Sequence, residues 1–294
     1  MKYKCFLLIS LLTVFLFSCI EEVEWETEDY KELLVVEGSF TDEYKRHKII
    51  LTKTSDYFSG EKTPAVKGAD VTINSDSGTI QFVESSEEPG VYVTKKPVAG
   101  TVGKEYTLNI ILKKPINNEI EYSATEKMKP GVDLDSIQAI LYDNPVYTKE
   151  NQNPDMDSLM IDVSLFWKTP PVTDNYYRVQ LYLKDSLKNS TIDNYSIFEG
   201  SEELRNTPVS NIYFFKNFQP KDTVVLENCS VSEEYYEYFN GLKNITNQED
   251  DQFFDMSGPP ANAVGNIEGA EAIGYFRVSS VTKDISVIHD GRYE

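Results

Sequence analysis

Cys19 closes an apolar run, residues 6–18, that follows a basic start at Lys2 and Lys4. A thiol in that position can be acylated and, after cleavage in front of it, become the new N-terminus. Leu16, Phe17, Ser18 and Cys19 resemble a bacterial lipobox, with Leu three places before the cysteine and Ser directly before it. A membrane-spanning helix needs about 20 apolar residues. This run is shorter, and the chain turns acidic at once with Glu21, Glu22 and Glu24. Residues 1–18 therefore read as a signal to be removed, and Cys19 as the site of lipidation. Each buried acyl methylene contributes about 0.8 kcal/mol, so a multiply acylated cysteine holds a soluble body stably at a bilayer.

The remaining chemistry-bearing residues are sparse. Cys5 leaves with the signal and Cys19 is taken by lipid, so Cys229 stands alone and no intramolecular disulfide forms. Only His47 and His289 exist to activate it, and Cys229 reads as a buried small residue. A Gly-x-Ser-x-Gly nucleophile motif is absent, as are a zinc-ligand cluster and a phosphate-cradling Gly-Lys-Ser/Thr loop. Residues 151–157 alternate oxygen ligands like a calcium loop but lack Gly at the sixth position and Glu at the twelfth. They read as a solvated turn. With 48 acidic residues, carboxylate pairs arise by chance, so no glycosidase pair stands out. The sequence accordingly predicts no catalytic residues, no metal and no cofactor. A formal net charge of −20 repels nucleic acid and anionic lipid.

Aromatic residues are the anomaly: nineteen Tyr and fifteen Phe. Tyr57, Phe58, Tyr213, Phe214, Phe253 and Phe254 fall in segments that read as loops, and they are the candidates for contact with a protein partner or a sugar ring.

The elements that would carry these residues are mostly strands. Residues 20–32 are acidic and weakly patterned, and residues 19–32 read as a tether. From Leu33 the pattern is β, with strands expected at 33–38, 48–54, 69–73, 79–83, 90–94 and 105–112. Val71/Ile73 and Tyr106/Leu108/Ile110 alternate with polar residues, as half-buried strands do. Residues 33–128 are expected to form an immunoglobulin-like sandwich. Lys129, Pro130 and Gly131 punctuate a boundary. Beyond it, Trp167, the pair Pro170-Pro171 and the strand Tyr176-Tyr177-Arg178-Val179 resemble the second and third strands of a fibronectin type III domain, with Trp167 in the core. Residues 131–294 are expected to form that second domain with long inserts, including a polar excursion at 184–220. One amphipathic helix is expected near 231–243. Ser230 and Glu233 would cap it, Tyr235, Tyr238, Phe239 and Leu242 would form its apolar face, and Gly241 or Asn244 would end it. A single strand is expected over 272–281, then a last one near 285–288.

One family resemblance runs through nearly the whole chain. Ser232-Glu233-Glu234-Tyr235-Tyr236-Glu237-Tyr238 leads to Phe253-Phe254 and Gly258-Pro259-Pro260-Ala261-Asn262, then to Gly265-Asn266-Ile267-Glu268-Gly269, Gly274-Tyr275-Phe276 and Ser279. In the front half stand Val35-Val36-Glu37-Gly38, Leu51-Thr52-Lys53-Thr54, Gly68-Ala69-Asp70-Val71 and Gly90-Val91-Tyr92. This pattern resembles the Bacteroidota lipoproteins of domain of unknown function 4249. The acidic residues after Cys19 also resemble the surface-export signal of such lipoproteins. The resemblance implies a two-domain β lipoprotein on the outer membrane, exposed at the cell surface. It further implies a non-catalytic accessory of a TonB-dependent transporter in nutrient uptake. A free-standing surface binder of glycan or peptide is the alternative. No family catalytic residue carries over, and the glycines after Pro259 read as backbone devices rather than a site.

Overall fold

The computed structural model describes residues 31–55, 63–143, 159–168, 175–188, 196–201, 204, 208–213, 218–247 and 263–293. The chain is mostly β. It forms two eight-stranded, sandwich-like sheets, each around its own core, and one α-helix among the described residues.

The first sheet holds β1 (Leu34–Thr41), β2 (Lys48–Lys53), β3 (Asp70–Ser75), β4 (Gly78–Glu84), β5 (Val91–Thr94), β6 (Glu105–Ile116) and β7 (Glu119–Lys127). The second is built from β8 (Leu134–Asp143), β9 (Leu159–Trp167), β10 (Tyr176–Leu183), β11 (Ser186–Leu187), β12 (Ser196–Glu199), β13 (Val209–Tyr213) and β14 (Thr223–Val231). The helix α1 (Glu233–Asn247) follows. Then come β15 (Ala272–Ser279), β16 (Val281–Asp290) and a short 3-10 turn (Gly291–Tyr293).

Alternation fixes which side chains go inward, because successive residues of a strand point to opposite faces. Leu34, Val36 and Phe40 of β1, Val71 and Ile73 of β3, and Leu108 and Ile110 of β6 fill the first core. Val163 and Leu165 of β9, Val179 and Leu181 of β10, and Val224 and Leu226 of β14 fill the second. Trp167 packs on the edge of that second core, with its ring 5.6 Å from Tyr177 and 5.9 Å from Phe198.

The last two strands tie the sheets together. β15 pairs in parallel with β1 at the edge of the first sheet, whereas β16 pairs with β14 and β8 in the second. Only Ser280 separates them. The expected single strand over 272–281 is therefore two strands in two sheets, and the chain re-enters the first sheet long after residue 128. Long-range hydrogen bonds pin the switch. The Val281 amide donates to Asp42 at 2.9 Å, and the Ser280 hydroxyl donates to the Lys129 carbonyl at 2.8 Å. The segment before β15 bridges β7 through reciprocal Ser123–Glu268 backbone hydrogen bonds, so the two edges of the first sheet approach each other.

The stretch 184–220, expected as an excursion, contributes the three short strands β11, β12 and β13. The helix is also offset from expectation. β14 runs on to Val231, so Ser230 lies in a strand and Ser232 is the cap. The Ser232 Oγ accepts the Tyr235 amide at 3.2 Å. Glu233 and Glu234 in the first turn suit the positive end of the helix dipole. The helix runs through Gly241 and Asn244 to Asn247, with Tyr235 and Phe239 buried beneath it. Replacing Ser232 with Ala removes that cap, and we expect a loss of about 1 kcal/mol in unfolding free energy. Urea denaturation followed by far-ultraviolet circular dichroism measures it; an unchanged midpoint would show that the cap is idle.

Candidate functional site

The inward residues of β1 build the first core. Its outward residues Val35, Glu37, Ser39 and Thr41 face a cavity of about 590 Å³. Tyr275 and Arg277 of β15 continue that face. The opposite wall comes from alternate residues of the second sheet: Arg178, Gln180 and Tyr182 of β10, with Glu227 and Cys229 of β14. Tyr235, Tyr238, Phe239 and Leu242 of α1 close one side.

Two arginines dominate the interior. Arg277 is 6 % exposed and Arg178 is 9 % exposed. Arg178 Nη1 donates to the Tyr235 hydroxyl at 2.5 Å, and its guanidinium lies 5.1 Å from the Phe239 ring centre. Arg277 Nη2 donates to Ser39 Oγ at 2.9 Å, and its guanidinium lies 5.7 Å from the Tyr235 ring centre. Contacts of that kind favour a cation when water is excluded. Burial opposes the Arg277 charge, but the neighbouring Cys229 thiol and the Tyr235 and Tyr182 hydroxyls hold its pKa above the ordinary value.

Of the three carboxylates that line the cavity, Glu43 and Glu227 are ion-paired and Glu37 is exposed to solvent. Lys283 bridges Glu43 and Glu227, each at 2.5 Å, and Lys45 pairs with Glu43. Burial works against the Glu43 charge, yet Lys283 and Lys45 bring its carboxyl down to about 2. Burial, and then the Glu227 charge, push Tyr182 up to about 12.

Beside the cavity lies a second polar cluster. Glu126, on β7, is 6 % exposed. Its Oε2 accepts from the Tyr275 hydroxyl at 3.0 Å and from Asn266 Nδ2 at 3.1 Å. Asn266 also clamps β15, accepting the Phe276 amide and donating to its carbonyl, both at 2.9 Å. Burial, reinforced by Glu234, raises the Glu126 carboxyl to about 7 against the pull of its hydrogen-bond donors.

These positions differ from those singled out in the sequence. Cys229 is 1 % exposed, as expected of a small core residue, but its surroundings are electropositive, with Arg277 beside it. The Cys229 thiol donates to Gln180 Oε1 at 3.6 Å. Tyr213 ends β13, paired with Ile161, on the far edge of the second sheet from β10 and β14. Tyr57, Phe58, Phe214, Phe253 and Phe254 lie outside the described residues, as do Cys19, residues 151–157 and Gly258. His47 is buried just before β2, with its Nε2 3.0 Å from the Val98 carbonyl and its ring 4.5 Å from Phe40. Among the described residues no group of His, Cys, Asp and Glu could hold a metal ion. Nor, among them, is any helix long and apolar enough to cross a membrane. Arg178 and Arg277 each lie inside an apolar strand, Tyr-Tyr-Arg-Val and Tyr-Phe-Arg-Val, which reads locally as core. An arginine inside a run that is otherwise buried is the signal that could have found them.

Fold and cavity together define a mostly-β protein with a ligand-sized, guanidinium-lined space between two sheets. The family described as "Domain of unknown function (DUF4249)" matches residues 20–285, and the chain belongs to it. No curated protein is a significant match. Among solved structures, the chain is similar to one titled "Cytokine receptor complex - Crystal form 1A", at 9% identity and a TM-score of 0.23, over 85% of this chain and 94% of that one. It is also similar to "Crystal structure of Salmonella alpha-2-macroglobulin reacted with methylamine", at 9% identity and a TM-score of 0.21, over 88% of this chain and 15% of that one. Overlap that low carries no argument about function.

Proposed function

We propose that this chain is a cell-surface lipoprotein of the bacterial outer membrane that serves a TonB-dependent transporter as a non-catalytic binding partner in nutrient uptake. The observation that carries this reading is Cys19 at the end of a short apolar run with an acidic tether behind it. Two sheets tied by the β15–β16 switch at Ser280 and by the hydrogen bonds from Val281 to Asp42 and from Ser280 to Lys129 suit a body that presents a fixed surface to a partner. The cavity, lined by two buried arginines and by aromatic side chains of the helix, suits the binding of a ligand.

Affinity purification of the full chain from outer membranes in mild detergent tests the reading. A large β-barrel protein should come with it, and Cys19→Ala should abolish that association along with membrane attachment. Recovery of the lipidated chain with no barrel partner overturns it. The cavity favours one other reading, a free-standing surface receptor, which keeps the lipid anchor but not the barrel.

A further inference from the structure

The Arg277 guanidinium is one hydrogen bond short. Nη2 donates to Ser39 and the guanidinium meets the weakly accepting Cys229 sulfur, but Nη1 is buried and has no partner of its own. Leaving a buried charged donor unmet costs more than the net worth of an ordinary hydrogen bond, and native folds keep few such groups. The cavity does not supply the missing acceptor from its own carboxylates. Glu43 and Glu227 are held by Lys283, Glu43 also by Lys45, and Glu37 is exposed to solvent on the same face of β1. Arg277 is set instead among a thiol, a hydroxyl and an aromatic ring, with Arg178 across the cavity sharing Tyr235. Lys45, Arg178 and Arg277 line the cavity with Glu37, Glu43 and Glu227; Lys45 is paired with Glu43, whereas among the described residues no carboxylate forms an ion pair with Arg277.

We propose that the cavity is a binding site for a small organic monocarboxylate with an apolar or aromatic body. The carboxylate accepts from Arg277 Nη1, and the body lies against Tyr238 and Phe239. The volume of about 590 Å³ is within the range of small-molecule pockets. A guanidinium with an open donor suits a planar carboxylate. A phosphate dianion fits less well, because one open guanidinium donor suits a single negative charge, and Lys45 and Lys283 are already paired with Glu43 and Glu227. The proposal goes beyond the transporter reading and stands whether or not a barrel partner exists.

Isothermal titration of the full chain in mild detergent tests it. The probes are acetate, 4-methylpentanoate and 3-phenylpropionate, each paired with its neutral amide, together with inorganic phosphate. The longer carboxylates should bind at least about tenfold more tightly than their amides. Arg277→Gln should erase that preference. If this variant fails to fold, the wild-type chain still decides the matter through Cys229, which lines the same cavity. Its modification by a small thiol reagent, read by mass spectrometry of the peptide that carries it, should slow with 3-phenylpropionate and not with the amide. Equal affinity for acid and amide, unchanged binding by folded Arg277→Gln, tighter binding of phosphate, or no binding by any probe overturns the proposal.

Discussion

Replacing Gly274 with Ala is expected to lower stability by at least about 3 kcal/mol, or about 10 °C in melting temperature for a chain of this size. Two independent causes act at this position. Its φ is +106°, which L-residues rarely adopt. A Cβ there would also stand 1.9 Å from the Val36 carbonyl oxygen and 2.8 Å from its carbon. Those are backbone atoms of β1, fixed by the parallel pairing of Val36 with Gly274, so no side-chain rotation relieves the clash. Gly265 extends the same close stack, since its own Cβ would come within 1.8 Å of the Gly274 carbonyl oxygen. Gly78→Ala separates the two causes. Its φ is +122°, yet nothing lies within 4 Å of its Cβ, and backbone strain alone should cost about 1 kcal/mol. Thermal melts of the three chains side by side measure the difference. Equal losses at Gly274 and Gly78 would mean that close approach to β1 is not what requires glycine. The Gly274 variant should also loosen β15, and with it the strand that presents Tyr275 and Arg277 to the cavity.

The residues after Gly265 thus hold the fold together, although the pattern that contains them is the one that marks the family. Gly265 and Gly274 allow three backbones to touch, Asn266 clamps β15 and Glu268 closes onto β7. Their types were legible in the sequence as backbone devices, but the strands they lock were not. Strands with clean alternation, such as Val71/Ile73 in β3 and Tyr106/Leu108/Ile110 in β6, could be read directly because one face of each meets the core. β7 could not, since Tyr122 and Ala124 point inward but the next inward residue is Glu126, which breaks the apolar period. The switch between sheets at Ser280 carries no local signal either. It is set by Asp42 and Lys129, more than 100 residues earlier in the chain. Helix α1 was visible from its apolar stripe, but its start depended on how far β14 runs. The cavity was the least legible feature, because its walls come from β1, β10, β14, α1 and β15. Spacing along the chain says nothing about which outward faces of separate strands will meet.

Glu126 should make the fold less stable as pH rises from about 4.5 to about 7, and Glu126→Gln should remove that slope. The sign follows from where the proton is held. In the unfolded chain this carboxyl titrates near 4.5, whereas in the fold burial raises it to about 7. Between those values the native state binds a proton that the unfolded state has released, so each step up in pH favours unfolding. Below the window both states are protonated and the relative gain is complete. Above it both are ionised and the gain is gone. The span corresponds to about 3 kcal/mol. The substituted amide would mimic the neutral acid, since its carbonyl can accept from Tyr275 and Asn266 as Oε2 of Glu126 does. The variant should therefore match the wild type at low pH and exceed it above neutrality. His47 contributes the opposite slope, because burial lowers its pKa and the fold resists its protonation. That contribution is common to both chains and cancels in the difference between them. Urea unfolding at several pH values from about 5 to about 8 gives this difference directly. Parallel profiles for the two chains would show that Glu126 holds no proton in the fold. A rising difference would identify it as a neutral acid at the junction of β7, β15 and the start of α1, ionising at the pH where the contacts beside the cavity weaken.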